Sequence, residues 1–367
     1  MSPLRPAVAS LFVAIGFAVL TASSQSASGR EWPVGAATRK VVPQGAYNWR
    51  GAKTHALVTS LWYPATPGTS MFDHDIGPPR SPLFRLGAWA DDANPAAGPF
   101  PLIALSHGTG GSAQIMAWLA RALASRGYIV AAVNHPGNSA LEEYTAEGFL
   151  LWWERARDLT TVIDMLFRDR QFGRLIDPNR IGAAGFSLGG YTVIEIAGGR
   201  TDPARFREFC RSAEAEGCAD PPEFPNLFAR WAELESTDEA FRRAVSRAGR
   251  SYRDSRIRAV FAIAPALGPA FIPESLQRIT IPVTLVAGTD DRIVPIMSNA
   301  QLLAKWTPRA SLTLLPDAGH YTFLATCTEA GRLARPQLCT DATGIDRETI
   351  HRRTAEHASQ FFDNTLR

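Results

Sequence analysis

Short apolar runs alternate with longer amphipathic stretches along most of the chain. The apolar runs have the length of buried strands, and the amphipathic stretches have the period of helices. This pattern predicts strands near residues 56–64, 101–106, 128–134, 180–186, 257–264, 282–288 and 311–315. It predicts helices near residues 112–126, 153–168, 187–198, 297–306 and 345–365. Such alternation favours an α/β fold with a mainly parallel, twisted sheet and helices on both faces.

The stretch at residues 200–256 is too long to be an ordinary connection between such elements. It is charged and rich in arginine, and Phe228, Trp231, Leu234 and Phe241 stand at helical spacing within it. We therefore predict a helical cap insertion, which is either a lid over a functional site or a decoration packed away from that site.

Composition is that of a globular chain with a large core. Of the 367 residues, 46% are hydrophobic and 20% are charged, and the formal net charge is +3. The charge is small and dispersed, which argues against a nucleic-acid partner because such proteins carry a basic stripe or a reading module. One domain over residues 29–367, with the insertion inside it, accounts for the sequence.

The N-terminal segment has the pattern of an export signal. Arg5 precedes an apolar run at residues 7–20, and small residues follow up to about residue 29. This is typical of a secretory signal peptide, which we place at residues 1–28. The run of about fourteen apolar residues is short for a membrane span, which needs about twenty. We predict a secreted or periplasmic protein without a stable membrane span, and an uncleaved signal anchor is the alternative.

Cysteine usage agrees with export, because four cysteines lie in the mature chain and an even number suits disulfide pairing. Cys210 with Cys218 and Cys327 with Cys339 are the local pairs, although four cysteines allow three connectivities. The sequence contains no C-x-x-C or H-E-x-x-H motif. We therefore predict no metal site.

A glycine pattern after the predicted strand at residues 101–106 raises the question of a dinucleotide cofactor. Gly108, Gly110 and Ala113 match the fingerprint G-x-G-x-x-A. That fingerprint requires an acidic residue at the end of the next strand, where Asn134 and His135 stand instead. We predict no cofactor.

The sequence GFSLGG at residues 185–190 carries the clearest chemical signal. It follows a predicted strand and precedes a predicted helix, and a G-x-S-x-G turn in that context holds its serine in a strained conformation above the sheet. Ser187 is therefore the candidate nucleophile. The N–H group of Leu188, directly after it, is a candidate donor to a developing oxyanion.

A serine nucleophile needs a base, and the base needs a carboxylate that orients it. His320 stands in the loop after the predicted strand at residues 311–315 and is the candidate base. Asp290 and Asp291 follow the predicted strand at residues 282–288, and either of them can orient His320 or cap the helix that begins near residue 294. The chain order is then Ser, Asp, His.

A second oxyanion donor is expected in the glycine-rich loop SHGTGG at residues 106–111. The N–H group of Thr109 is our candidate. His107 precedes the nucleophile in the chain, which is the wrong order for a base, so we expect it to hold the loop by hydrogen bonds.

Together these motifs resemble the α/β-hydrolase superfamily over most of the chain from about residue 40. The SHGTGG loop, with NHPGN at residues 134–138 and WERARD at residues 153–158, is similar to bacterial predicted dienelactone hydrolases related to platelet-activating-factor acetylhydrolase. True dienelactone hydrolases use a cysteine nucleophile, and this chain has Ser187 instead. In related esterases the acid stands four residues before the proline of a D-x-x-V-P run, which implies Asp291 here.

The resemblance implies an exported serine ester hydrolase that works through an acyl-enzyme on a small-molecule ester or lipid-like substrate. Residues 63–100 are rich in Pro, Gly and Asp and are expected to wrap the surface. Their Met71, Phe72, Phe84 and Trp89 are candidates for the lining of an acyl pocket. Three alternatives stay open: a non-catalytic binding protein on the same fold, a lactone or phospholipid acyl hydrolase, and a peptidase or acyltransferase with the same triad.

Overall fold

The computed structural model describes residues 31–43, 50–52, 55–213 and 215–367. The predicted signal peptide at residues 1–28 lies outside them. The strands are β1 (Val34–Val41), β2 (Leu57–Pro64), β3 (Phe72–Ile76), β4 (Phe84–Asp91), β5 (Phe100–Ser106), β6 (Ile129–Val133), β7 (Ile176–Phe186), β8 (Ile257–Ile263), β9 (Val283–Gly288), β10 (Ala310–Leu315) and β11 (Thr326–Cys327).

The helices are α1 (Ala117–Ser125), α2 (Ala146–Leu150), α3 (Glu154–Leu166), α4 (Leu188–Ala197), α5 (Pro203–Phe209), α6 (Leu227–Thr237), α7 (Glu239–Val245), α8 (Pro273–Leu276), α9 (Leu302–Trp306), α10 (Glu329–Ala334), α11 (Pro336–Cys339) and α12 (Arg347–Leu366). The predicted helix near residues 297–306 begins as one π-helical turn, Met297–Gln301. Among the described residues, no helix combines the length and the apolar character that a membrane crossing requires.

The strands form one mixed sheet in the order β10, β9, β8, β7, β5, β6, β2, β1, β4 and β11, and β3 pairs with β4. The six strands from β10 to β6 run parallel to one another. Strand β2 is antiparallel to β6, and β1 is antiparallel to β2. The predicted fold class, a mainly parallel sheet with helices on both faces, is confirmed.

Both faces of the central strands are buried, which is why their sequences are apolar throughout. Side chains alternate between the faces of a strand. Leu102 and Ala104 of β5 accordingly join one hydrophobic core, with residues of α3 and α4, whereas Ile103 and Leu105 join the other, with residues of α1 and α12. The two cores fix the sheet between two layers of helices.

The order of the strands places the functional loops at one edge of the sheet. Strand β5 lies between β6 and β7, so the chain leaves β6 and crosses to the other side of β5 to form β7. Ser106, the last residue of β5, is in register with Gly185 of β7. Ligands of open α/β sheets bind at such a reversal, beyond the carboxyl ends of the strands. The loops that follow β5 and β7 therefore meet.

Residues 63–100 differ from the expectation that they only wrap the surface, because they form β3 and β4. Phe84 and Trp89 are buried in a core, and the Trp89 ring packs edge-on against Trp62 with ring centroids 5.9 Å apart. Met71 and Phe72 are exposed. The expectation that these four residues line an acyl pocket is therefore not met for Phe84 and Trp89, because both side chains are buried in the hydrophobic core beside the sheet.

The insertion at residues 200–256 is helical, as predicted, and contains α5, α6 and α7. The Trp231 ring of α6 lies 6.2 Å from that of Trp152 and 5.5 Å from that of Phe241. Arg247 of the insertion forms an ion pair of 2.8 Å with Glu154, whose side chain is completely buried at the start of α3. The insertion is therefore anchored to the body of the domain by both apolar and ionic contacts.

The cysteines form the two local pairs. One disulfide joins Cys210 and Cys218 within the insertion, and the other joins Cys327 and Cys339 in the segment after His320. Each closes a short loop, with sequence separations of 8 and 12.

Candidate active site

Ser187 occupies the sharp turn between β7 and α4. Its backbone has φ +55° and ψ −118°, in a region that non-glycine residues rarely adopt. The Ser187 N–H group donates a hydrogen bond of 2.9 Å to the carbonyl oxygen of Ile263 in β8. A Cβ atom on Gly190 would lie 2.8 Å from Cα of Pro265, so only glycine fits there. Strand, turn and helix thus force the serine side chain out of the sheet.

The structure brings Ser187, His320 and Asp291 into one chain of hydrogen bonds. His320 Nε2 lies 2.9 Å from Ser187 Oγ, and His320 Nδ1 lies 2.7 Å from Asp291 Oδ2. Because a carboxylate only accepts, Nδ1 carries the proton and Nε2 is free to accept from the serine hydroxyl. All three residues are almost fully buried. This arrangement can transfer the hydroxyl proton to the imidazole.

Asp291 also holds the turn of its own loop, and it does not cap the helix expected near residue 294, because that helix begins at Met297 and its N-terminus has no side-chain cap. Its Oδ1 accepts hydrogen bonds from the N–H groups of Ile293, at 3.1 Å, and Val294, at 2.7 Å. Asp290 points instead to the surface, where it pairs with the exposed Arg292. The geometry therefore favours Asp291 over Asp290 as the partner of His320.

The two candidate oxyanion donors belong to segments that adjoin Ser187. Leu188 is the first residue of α4, where N–H groups lack helical acceptors and the helix dipole is positive. A Cβ atom on Gly108 would lie 3.2 Å from Ser187 Cβ, which places the loop of Thr109 directly against the serine. Within the described part of the chain, the N–H groups of Thr109 and Leu188 have no acceptor. Both are available to a ligand.

Side chains from the following loop hold the glycine-rich loop in shape. The Gly110 N–H group donates to Asn138 Oδ1 at 2.8 Å, and the Tyr144 hydroxyl donates to the Gly110 carbonyl at 2.7 Å. His107 Nδ1–H donates to the carbonyl oxygen of Gly108 at 2.7 Å, which agrees with the predicted role of His107. The peptide that presents Thr109 is thus fixed from both sides.

Beneath this loop lies a second Ser-His-Asp chain that is completely buried. Ser106 Oγ lies 2.9 Å from His135 Nε2, and His135 Nδ1 lies 2.7 Å from Asp158 Oδ2. Arg50 makes a bidentate ion pair with the same carboxylate, at 2.8 and 2.9 Å. Ser106, His135 and Asp158 are 0% exposed, so no substrate reaches them. These buried hydrogen bonds fix the end of β5 at Ser106, and we refer to them as the buried support.

Arg155 of α3 completes this support. Its Nη2 atom donates to Ser106 Oγ at 3.2 Å and also to the carbonyl oxygen of His107. Burial and the charge of Arg155 hold the pKa of both His107 and His135 well below its usual value. Both rings are therefore neutral, and the single proton of each lies on Nδ1, where its acceptor is. Arg155 thus holds the glycine-rich loop at residues 106–111, called the oxyanion loop below, through Ser106 Oγ and the carbonyl oxygen of His107.

The sequence predicts the residues around Ser187 but not this support. It indicates no role for five of the residues involved: Arg50, Asn138, Tyr144, Arg155 and Asp158. The signals were present, since Asn138 belongs to the NHPGN motif, and Arg155 and Asp158 belong to WERARD. Their positions in the motifs gave no hint that they converge under the loop at residues 106–111.

Comparison with known proteins supports the fold and shows the family. A ferulic acid esterase from Streptomyces cinnamoneus has a similar fold, with a TM-score of 0.62 and 21% sequence identity over 91% of this chain and 90% of that chain. No curated protein matches the sequence. The sequence model of the alpha/beta hydrolase family matches residues 102–334, which is more than half of the chain and spans every residue of the Ser187 site. The protein therefore belongs to the alpha/beta hydrolase family.

Proposed function

We propose that this protein is an exported serine ester hydrolase that works through an acyl-enzyme. The observation that carries the proposal is the hydrogen-bonded chain from Ser187 Oγ through His320 to Asp291. It is supported by the positive φ of Ser187 and by the two N–H groups beside it that have no acceptor among the described residues. Membership of the alpha/beta hydrolase family and the similar fold of a ferulic acid esterase are consistent with it.

In the proposed reaction, Ser187 Oγ attacks the ester carbonyl while His320 Nε2 accepts its proton. Asp291 stabilises the imidazolium that forms and keeps its orientation. The negative charge on the carbonyl oxygen is held by the N–H groups of Thr109 and Leu188, and such donors commonly account for about 100- to 1000-fold in rate. His320 then protonates the leaving alcohol. Water, deprotonated by His320, releases the acyl group and restores Ser187.

The substrate class that we propose is a small or lipid-like carboxylic ester. The neighbour of similar fold is a ferulic acid esterase, so aromatic acyl esters belong among the first substrates to test. The motifs at residues 106–111, 134–138 and 153–158 resemble those of bacterial predicted dienelactone hydrolases related to platelet-activating-factor acetylhydrolase. This resemblance adds lactones and short-chain phospholipid esters to the panel.

We also propose that the protein works outside the cytoplasm. The signal-like segment at residues 1–28 and two disulfide bonds support this location, because disulfides persist in oxidising compartments.

Covalent labelling tests the nucleophile directly. A fluorophosphonate phosphonylates an activated serine, so we expect the purified protein to gain the mass of one phosphonyl group, with peptide mapping placing it on Ser187. The Ser187→Ala variant serves as the control and should stay unmodified. Labelling of another residue, or equal labelling of the variant, would refute the assignment of Ser187 as the nucleophile.

A further inference from the structure

One segment of the insertion, residues 217–224, contacts the Ser187 site at two points. A Cβ atom on Gly217 would lie 2.9 Å from Cδ of Pro295 and 3.1 Å from the carbonyl oxygen of Ile293, in the loop of Asp291. A Cβ atom on Gly110 would lie 2.9 Å from Cγ of Glu223. The segment therefore packs on the loop of Asp291, which follows β9, and on the oxyanion loop, which follows β5. Strand β7, which leads to Ser187, lies between β9 and β5 in the sheet.

Glu223 brings a carboxyl group to this position. The side chain is half-buried, and its carboxyl lies close enough to His320 for the two groups to interact electrostatically. Among the described residues, no lysine or arginine forms an ion pair with it. Burial raises the pKa of Glu223 above its ordinary value. A negative charge held there is thus weakly hydrated and not neutralised by a fixed cation.

Two tyrosines share the surroundings of Glu223. Burial and the charge of Glu223 raise the pKa of Tyr144, and the same two causes, with burial the larger, raise the pKa of Tyr321 to about 12. The Tyr144 hydroxyl donates to the carbonyl of Gly110, the residue on which Glu223 packs. The surroundings of Gly110 therefore combine one carboxylate with two tyrosines and, among the described residues, no cation paired with that carboxylate, a setting that attracts cations and repels anions.

We infer that Glu223 sets the charge selectivity of the Ser187 site, which accepts esters with an uncharged or ammonium-bearing acyl group and rejects those with a carboxylate near the scissile bond. This inference rests on the proposed function. An anionic acyl group would be placed near a carboxylate in a half-buried site, where like charges are screened less than in water. An ammonium group at the same place would instead be attracted by the carboxylate of Glu223.

Three esters of similar acyl length test the inference, assayed at pH 8 so that carboxyl groups are ionised. They are p-nitrophenyl butyrate, the mono-p-nitrophenyl ester of glutaric acid, and p-nitrophenyl 4-(trimethylammonio)butyrate. For the parent enzyme we expect kcat/KM to be at least about tenfold lower for the anionic ester than for the neutral one. In Glu223→Gln this ratio should approach unity, and the advantage of the cationic ester should disappear.

Two further variants make the result specific. Glu223→Asp keeps the charge and should keep the selectivity. Glu233→Gln removes the same charge from an exposed position on α6 and should leave all three rates unchanged. Melting curves confirm that each variant is folded.

Two outcomes overturn the inference, and they are distinguishable from failure of the proposed function. Hydrolysis of the neutral ester with the same charge ratio in the parent and in Glu223→Gln refutes the role of Glu223 and leaves the esterase intact. A parent that prefers the anionic ester refutes the inference likewise. A parent that cleaves none of the three esters and takes no fluorophosphonate contradicts the proposed function itself, and the inference falls with it.

Discussion

The carbonyl oxygen of Gly189 occupies the space that a Cβ atom on Gly185 would need. The strand before Ser187 and the helix after it therefore touch through bare backbone. Gly189 in turn packs so closely on the carbonyl of Ser106 that it has no room for a side chain either. These contacts press the turn of Ser187 against the end of β5, where the oxyanion loop begins.

Replacing Gly185 with alanine should therefore disrupt the site. The added methyl group overlaps backbone atoms, which move only if the turn itself moves. We expect a loss of soluble protein, or a fall in esterase activity of at least about 100-fold in whatever folds, because a displacement of about 1 Å costs that much. Gly249→Ala is a matched control, since its Cβ would come no closer than 3.8 Å to another atom. Equal activity of the two variants would contradict the packing described for the turn.

Asp291→Asn should lower kcat by about 10³- to 10⁴-fold with a smaller effect on KM. The amide no longer stabilises the imidazolium, and it can force the proton of His320 onto Nε2. Steady-state kinetics on a p-nitrophenyl ester measures this loss. Asp290→Asn, one residue away and paired only with the exposed Arg292, should keep near-parent kinetics. The reverse result would assign the acid to Asp290.

Loss of the buried support under the oxyanion loop should lower the rate of the chemical step. Ser106→Ala leaves His135 Nε2 without a donor and Arg155 with one acceptor fewer, at a cost of about 1–3 kcal/mol. Since Ser106 opens the loop that presents Thr109, we expect kcat to fall about tenfold and binding of a boronic acid, which mimics the tetrahedral intermediate, to weaken in parallel. KM should change little. A fall in melting temperature with unchanged kcat would show that the support serves stability alone.

Glu195 predicts a pH dependence of stability. It is completely buried in α4, where it accepts a hydrogen bond of 2.7 Å from Thr201, and burial raises its pKa from 4.5 to about 8. A carboxyl whose pKa is raised on folding contributes stability that is fully present below its unfolded pKa and is lost as the pH rises toward the folded pKa. The parent should therefore lose on the order of a few kcal/mol between about pH 4.5 and pH 8.

Glu195→Gln removes this titration. The difference in unfolding free energy between Glu195→Gln and the parent should grow in favour of the variant as the pH rises, and level off above about pH 8. Urea denaturation at a series of pH values measures it. Glu233→Gln, at an exposed site, should give a flat difference. A flat difference for Glu195→Gln would mean that Glu195 is ionised in the folded protein at neutral pH.

The strands that flank the site could be predicted from the sequence because both of their faces are buried. Their runs are largely apolar, and each is followed within two residues by a polar residue, a glycine or a proline that belongs to a loop. Strands β3 and β4 were missed because glycine and aspartate in the same stretch indicated a loop. The alternation of buried Phe84 and Leu86 with exposed Arg85 was the signal available for β4.

Contacts between residues far apart in the sequence could not be predicted in the same way. The approach of Glu223 to Gly110 joins positions more than a hundred residues apart, and the period of the insertion says nothing about where it docks. The ion pair of Arg50 with Asp158 likewise depends on the packing of α3 against the sheet. Local sequence predicts elements and loops, whereas these pairings follow from tertiary packing.

Whether Ser187 is the nucleophile of an ester hydrolase is tested most sharply by the hydrolysis of p-nitrophenyl esters of increasing acyl length by the purified chain without residues 1–28, beside Ser187→Ala prepared in the same way. We expect turnover by the parent and a loss on the order of 10⁶-fold in kcat for the variant. The preferred acyl length then measures the depth of the pocket. Equal turnover by the two proteins would show that Ser187 is not the nucleophile, and no turnover by a parent that melts cooperatively would contradict the proposed esterase function.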